Sequence, residues 1–253
     1  LEQTDPWLRN LVNDINLAYV SFYKRINPVS TFASSLRYFS LGEITFTDNT
    51  GMPIGTYKPN EFAIDATYSR ILSDKFSLAV AGRFIYSDLT QGQFVQGVET
   101  KPGISVAADI AMYWEDDVDW FKSMDATFAW GVNISNIGNK ISYSGTNIEK
   151  DFIPTNLRIG PRLTLELDDY NSISFQVDIN KLLVPTPPIY ADSTNPDGSY
   201  IILKGMDPNV SPIQGMIQSW YDAPGGFSEE MREFSFAFGT EYWYTDVLAL
   251  RGG

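Results

Sequence analysis

The feature that most constrains this chain is an alternation of period two that keeps charge on one side. In Phe76–Tyr86, Phe76, Leu78, Val80, Phe84 and Tyr86 share one parity with Gly82, while Ser77, Ala79, Ala81, Arg83 and Ile85 take the other. Successive side chains of a strand point to opposite faces, so this is a strand with one apolar face and one small or polar face. The pattern recurs in Phe62–Tyr68, Ile104–Trp114, Ala126–Ile134, Leu157–Leu167 (with Pro161 intruding), Ile173–Ile179 and Phe234–Tyr244. Leu17–Tyr23 and Phe32–Ser40 also read as strands, and a last one starts at Leu248, which makes about ten. Arg37, Asp65, Arg83, Asp109, Arg158, Arg162, Glu166, Asp178 and Glu241 all lie opposite the apolar set. An Arg or Lys facing lipid near the bilayer midplane costs roughly 2–4 kcal/mol, and that penalty would produce such one-sidedness. The wet outer face of a soluble sandwich would produce it too.

The connections separate the two. Short ones (Lys24–Thr31, Ile71–Lys75, Glu115–Ser123, Asp168–Tyr170, Thr245–Asp246) alternate with long ones (Leu41–Asn60, Asp88–Lys101, Asn136–Pro154, Lys181–Arg232). Outer-membrane barrels have short turns on the periplasmic rim and long loops on the extracellular rim, and a sandwich has no reason for this regularity. Aromatic residues make up 14% of the chain, an excess that suits the aromatic girdles of a membrane barrel. The expected fold is all-β: an antiparallel transmembrane β-barrel with short helices in its loops. Phe84, Trp130, Phe175 and Phe236 are expected to face lipid, and Arg83, Asp109, Arg162 and Asp178 the interior. A membrane-spanning helix is excluded by length: the longest uncharged runs, Ala126–Asn139 and Pro208–Tyr221, fall short of the roughly 18–20 apolar residues required.

Two helices are expected. Thr4 or Asp5 can cap a first one with Pro6 at its first position, giving an apolar face of Trp7, Leu8, Leu11, Val12 and Ile15. In the longest loop Ser211 caps and Pro212 starts a second. Its residues Ile213, Met216, Ile217, Trp220 and Tyr221 follow helical spacing, and Gly225-Gly226 stops it. Such a face either packs on the mouth of the barrel or docks a partner. Because exposed apolar surface marks interaction sites, Ile213, Met216, Ile217, Trp220 and Tyr221, with Phe46 and Phe94 from neighbouring loops, are the candidate partner-binding residues.

Catalysis has little to work with. Histidine and cysteine are both absent, which removes Ser-His-Asp triads, thiol nucleophiles and the usual neutral-pH base. There is no Walker loop, dinucleotide fingerprint or nucleophile elbow. The acidic pairs Glu115-Asp116-Asp117 and Asp168-Asp169 fall in short turns and read as solvated turns. Asp192–Gly198 resembles a calcium loop only faintly and reads as a polar turn. No enzyme, cofactor or metal site is expected, and a net charge of −13 disfavours a nucleic-acid partner. Small residues in the polar rows (Ser77, Ala79, Ala81; Ser105, Ala107, Ala111; Thr127, Ala129, Gly131) leave interior space for water, a ligand or a partner's loop.

Several stretches resemble a known family. They are SLRYFSLGEITFTD at Ser35–Asp48, KPNEF at Lys58–Phe62, FIYSDL at Phe84–Leu89, GVNISNIG at Gly131–Gly138 and FIPTNLRIG at Phe152–Gly160. Together they are similar to the PorV family of outer-membrane proteins of the type IX secretion system of Bacteroidetes. The first two are the more specific; the last two are shared more widely with FadL-like barrels. The resemblance implies a FadL-like barrel of fourteen strands, so residues 1–253 are expected to be one barrel domain, incomplete at both ends. It implies a bacterial outer-membrane location and no catalysis. The implied partners are the translocon barrel SprA (also called Sov), secreted cargo carrying a C-terminal signal domain, and the attachment machinery with the PorU sortase, besides the lipid of the outer membrane. A FadL-type channel for hydrophobic small molecules is the alternative function, and a structural barrel without a guest a third.

Overall fold

Among the described residues, eleven strands hydrogen-bond into one sheet in chain order once three small hairpins are set aside. The computed structural model describes the chain except at residues 1, 2, 13, 49, 96, 97, 123, 145–149, 197, 198 and 246, and except for the side chains of 3–12, 94, 95 and 98. The strands are β1 (Gln3–Val12), β2 (Ile15–Asn27), β3 (Ser30–Ser40), β4 (Ile44–Thr47), β5 (Pro53–Tyr57), β6 (Asn60–Ser73), β7 (Phe76–Asp88), β8 (Phe94–Val95), β9 (Val98–Glu99), β10 (Gly103–Asp117), β11 (Asp125–Gly138), β12 (Asn156–Asp168), β13 (Asn171–Leu182), β14 (Ile189–Thr194), β15 (Tyr200–Lys204), β16 (Phe234–Tyr244) and β17 (Leu248–Gly252). The large sheet runs β1-β2-β3-β6-β7-β10-β11-β12-β13-β16-β17, and β4-β5, β8-β9 and β14-β15 are separate hairpins. Helices α1 (Pro212–Gln218) and α2 (Phe227–Glu230), with a 3-10 turn at Met231–Glu233, lie between β15 and β16. The expected all-β antiparallel class is the one observed, and all ten strands read from the alternation are present.

One expected element is different. Residues Gln3–Val12 form β1, antiparallel to β2 with Gln3 opposite Tyr23 and Asn10 opposite Asn16, and not a helix. The cap and apolar spacing supply only weak local preference, which the hydrogen bonds offered by β2 override. Pro6 lies within this strand, opposite Val20.

The chain divides into two compact units. The first comprises Leu1–Arg70, Ala79–Asp109 and Gly138–Ile153. There the pairing of β3 with β6 sets Leu36 opposite Ile64 and Tyr38 opposite Phe62 on one face, and Ser35 opposite Asp65 and Arg37 opposite Ala63 on the other. Leu36, Ile64, Val80, Phe84, Ile104 and Val106 are exposed. The buried groups include Ser87 and Ser105, and the apolar core is a small cluster of Ala107, Ile141 and Ile153 backed by Ile85 and Tyr143. Phe62 stacks on Tyr86 at 5.0 Å beside the long connections.

The second unit comprises Ile71–Leu78, Ile110–Ile137 and Pro154–Gly253. Its pairings repeat the rule. Phe128 faces Leu163, Leu163 faces Phe175, and Ile179 faces Phe236, while Ala129 faces Arg162 and Arg162 faces Gln176 on the opposite side. Phe175, Phe236 and Phe238 are exposed, and Ser174 is buried. Trp114 and Trp120 gather on Phe128 at 6.2 and 5.2 Å near the short turns. In both units many large apolar side chains face out while Ser87, Ser105 and Ser174 are covered, the reverse of a water-soluble sheet and the pattern of a wall bathed in hydrocarbon.

Turn chemistry fixes the short connections. Asn27 Oδ1 accepts from Val29 N at 3.0 Å, and Asp168 Oδ1 accepts from Tyr170 N at 2.8 Å, each side chain closing its own Asx turn.

Candidate interaction site

The polar face is built from cross-strand charge pairing. In the first unit Arg83 on β7 donates through Nε to Asp65 on β6 at 2.5 Å and through Nη2 to Asp109 on β10 at 2.9 Å. Ser35 adds a hydrogen bond to Asp65 at 2.8 Å. In the second unit Arg162 Nη2 reaches Ser174 Oγ at 2.9 Å and Glu241 Oε1 at 3.3 Å. Glu241 also accepts from Trp243 Nε1 at 2.7 Å and pairs with Arg251. Two open hollows of about 320 and 310 Å3 lie beside Arg162, and they exist because Ala111, Ala129, Gly131, Gly160 and Gly239 leave room. Arg162, Gln176 and Asp178 line both, and Arg158 lines the second, so charged side chains are set into walls that are otherwise largely apolar.

The acidic turns behave as turns. Lys75 pairs with Asp116 at 2.6 Å, Thr127 donates to Asp117, and Asp168 holds Asn171. No group of three or more Asp, Glu, His or Cys among the described residues could hold a metal ion.

The long connections of the first unit are tied to one another. Lys101 N donates to Tyr143 O at 2.9 Å, and Gln91 Nε2 donates to Lys58 O at 2.9 Å. Tyr143 donates through its hydroxyl to the buried Ser87, which donates to Glu61. Burial pushes the Tyr143 hydroxyl above the usual tyrosine range. Phe46, a candidate partner residue, packs its ring on Tyr57 at 5.0 Å within the β4-β5 hairpin. The side chain of Phe94 lies outside the described ones.

The remaining candidates belong to the second unit, on the connection between β13 and β16. Helix α1 forms where expected: Ser211 accepts from Gln214 N, and Pro212 opens the first turn. Ile213, Ile217, Trp220 and Tyr221 are brought together and exposed, at 57, 59, 47 and 60%, and Met216 is half-buried. The residues that α1 buries are Gly215 and Gln218, followed by Ser219. Trp220 meets Phe234 edge-on, with ring centroids 6.1 Å apart.

A buried cluster beneath this helix was not evident from the sequence. Lys181 is 1% exposed and donates to Glu233 at 2.6 Å and to Glu230 at 3.3 Å. Its ammonium also lies 5.6 Å from the Trp220 ring and 5.2 Å from that of Phe234. Thr186 ties in twice, through Oγ1 to Glu233 at 2.7 Å and through N to Asp222 Oδ2 at 3.1 Å. Asp222 is buried with no hydrogen-bond partner for Oδ1. Burial pushes its carboxyl above the usual range, nearby Glu230 adds to this, and the Thr186 and Gln218 hydrogen bonds oppose it. The signal available in the sequence was parity. Carrying Ile173, Phe175, Val177 and Ile179 one step further puts Lys181 in the apolar row, where a charge requires a cover.

An antiparallel sheet of this length, with its large apolar residues exposed and its charges paired on the other face, defines the class of transmembrane β-barrel proteins. The sequence model of the family described as type IX secretion system protein PorV matches residues 3–189, and the chain belongs to that family. None of the curated proteins compared with the chain matches it.

Proposed function

We propose that this protein is a non-catalytic outer-membrane component of the type IX secretion machinery. In this reading it associates with the SprA/Sov translocon barrel, accepts secreted cargo through the cargo's C-terminal signal domain, and passes it to the attachment complex that contains the PorU sortase. The observation that carries the reading is the family match over residues 3–189. The inside-out sheet supports a place in a membrane. Arg162 and Asp178 in the lining of both hollows weigh against the alternative, a channel for hydrophobic small molecules, because they interrupt the continuous apolar path that such a channel needs.

Affinity purification of the tagged full-length protein from native outer membranes tests this. A giant β-barrel and proteins bearing a common C-terminal domain should co-purify in stable amounts. A barrel that purifies alone, yet binds long-chain amphiphiles, would favour the channel.

A further inference from the structure

The connection between β13 and β16 folds over the apolar side of its wall, and this decides what its helix touches. Lys181 continues the row of Ile173, Phe175, Val177 and Ile179, and it sits directly opposite Phe234. Phe234 in turn begins the row of Phe236 and Phe238, both exposed. Yet Lys181 is almost completely buried, enclosed by Glu230, Glu233, Trp220 and Phe234. A lid lying across the polar face would cover Asn180 or Asp178. This segment covers the neighbours of opposite parity.

Helix α1 itself is inside out. With the turn that follows it, it buries Gly215, Gln218 and Ser219 and exposes Ile213, Ile217, Trp220 and Tyr221, with Gln214 the one exposed polar side chain of the helix. That is the wrong way round for water and the same way round as the strands. The run Pro208–Tyr221 holds no charged residue, and Trp and Tyr are the side chains enriched where a bilayer meets water.

We propose that α1 and the turn to Tyr221 form an interfacial anchor, with Ile213, Ile217, Trp220 and Tyr221 seated in the lipid that surrounds the rim of the wall. The occupant of this face is hydrocarbon, because the face is continuous through the Trp220–Phe234 contact with the row of Phe236 and Phe238. Attachment is by apolar burial without a basic face, so it does not require anionic lipid. These residues lie beyond the matched span of 3–189. The inference rests on the reading of the sheet as a membrane wall.

Site-directed nitroxide labelling tests both separately. The sequence has no cysteine, so Ile217→Cys, Phe236→Cys and the exposed Ser193→Cys are each labelled singly in the full-length protein. Each is reconstituted without partners in phosphatidylcholine vesicles, and collisions with oxygen and with a water-soluble nickel chelate are compared. Ile217→Cys should match Phe236→Cys, with oxygen favoured several-fold, while Ser193→Cys favours the chelate. Chelate-favoured collisions at Ile217→Cys, with Phe236→Cys still in lipid, overturn the anchor and leave the face to a protein partner. Chelate-favoured collisions at Phe236→Cys overturn the membrane wall itself.

Discussion

Arg83 holds Asp109 with Nη2 at 2.9 Å while its Nε holds Asp65, so one guanidinium neutralises carboxylates from two other strands. Arg83→Met would leave both acids together and part-buried. Removing one member of a fully buried pair costs roughly 3–5 kcal/mol; here the three side chains are 13–17% exposed, which places the loss toward the low end. The apparent melting temperature of the folded barrel on heated gels should fall. Adding Asp65→Asn and Asp109→Asn to Arg83→Met should restore most of it.

Lys181→Met is expected to loosen the β13–β16 connection without dissolving the sheet. Glu230 and Glu233 would lose their shared cation, and the roughly 3–5 kcal/mol penalty of an unpaired buried charge would fall on that connection. Limited proteolysis should cut within residues 205–230 at least tenfold faster, with the remaining fragments still migrating as folded barrel.

The contribution of Asp222 to the same connection should grow as pH falls. The Asp222 carboxyl is raised in the folded chain, so folding favours its protonated form. That contribution is present at low pH and is lost as pH rises through the raised pKa. The protection factors of residues 218–223, with the intrinsic rise of exchange with pH divided out, should fall over that interval. Asp222→Asn should flatten the dependence and protect these amides at neutral pH, which an unchanged profile would contradict.

Tyr143→Phe removes one hydrogen bond, from the Tyr143 hydroxyl to Ser87 at 2.9 Å. The expected cost is about 1 kcal/mol. It should appear as faster exchange at Lys101, whose N–H reaches Tyr143 O across the two connections, with no change in the second unit.

Sidedness follows from the alternating connections. In intact cells Ser193→Cys should react with an impermeant maleimide, and Asp169→Cys only after the membrane is opened. The opposite result would invert the orientation.

How much of this was readable depended on range. Alternation is local, so Phe76–Tyr86 declares itself as a strand, and the parity of Arg83, Asp65 and Asp109 places all three on one face before any pairing is known. The capped helix at Pro212 is local too. Residues 3–12 misled because cap and spacing favoured a helix, whereas the deciding hydrogen bonds come from β2. The Lys181 cluster joins residues about fifty positions apart, and no local pattern announces such a meeting. The hairpins β4-β5, β8-β9 and β14-β15 are short and lie within the long connections, where strands of two to six residues give alternation too little length to register.

The pairing of charge on one face also bears on how the wall is assembled. Slipping any strand by one residue exchanges its two faces. For β7 or β12 that would turn Arg83, or Arg158 and Arg162, toward hydrocarbon, at roughly 2–4 kcal/mol for each arginine near the midplane, and would strand the carboxylates that Arg83 and Arg162 hold. In a bilayer a misaligned strand would therefore be disfavoured, and the membrane would act as proofreader of the hydrogen-bond register.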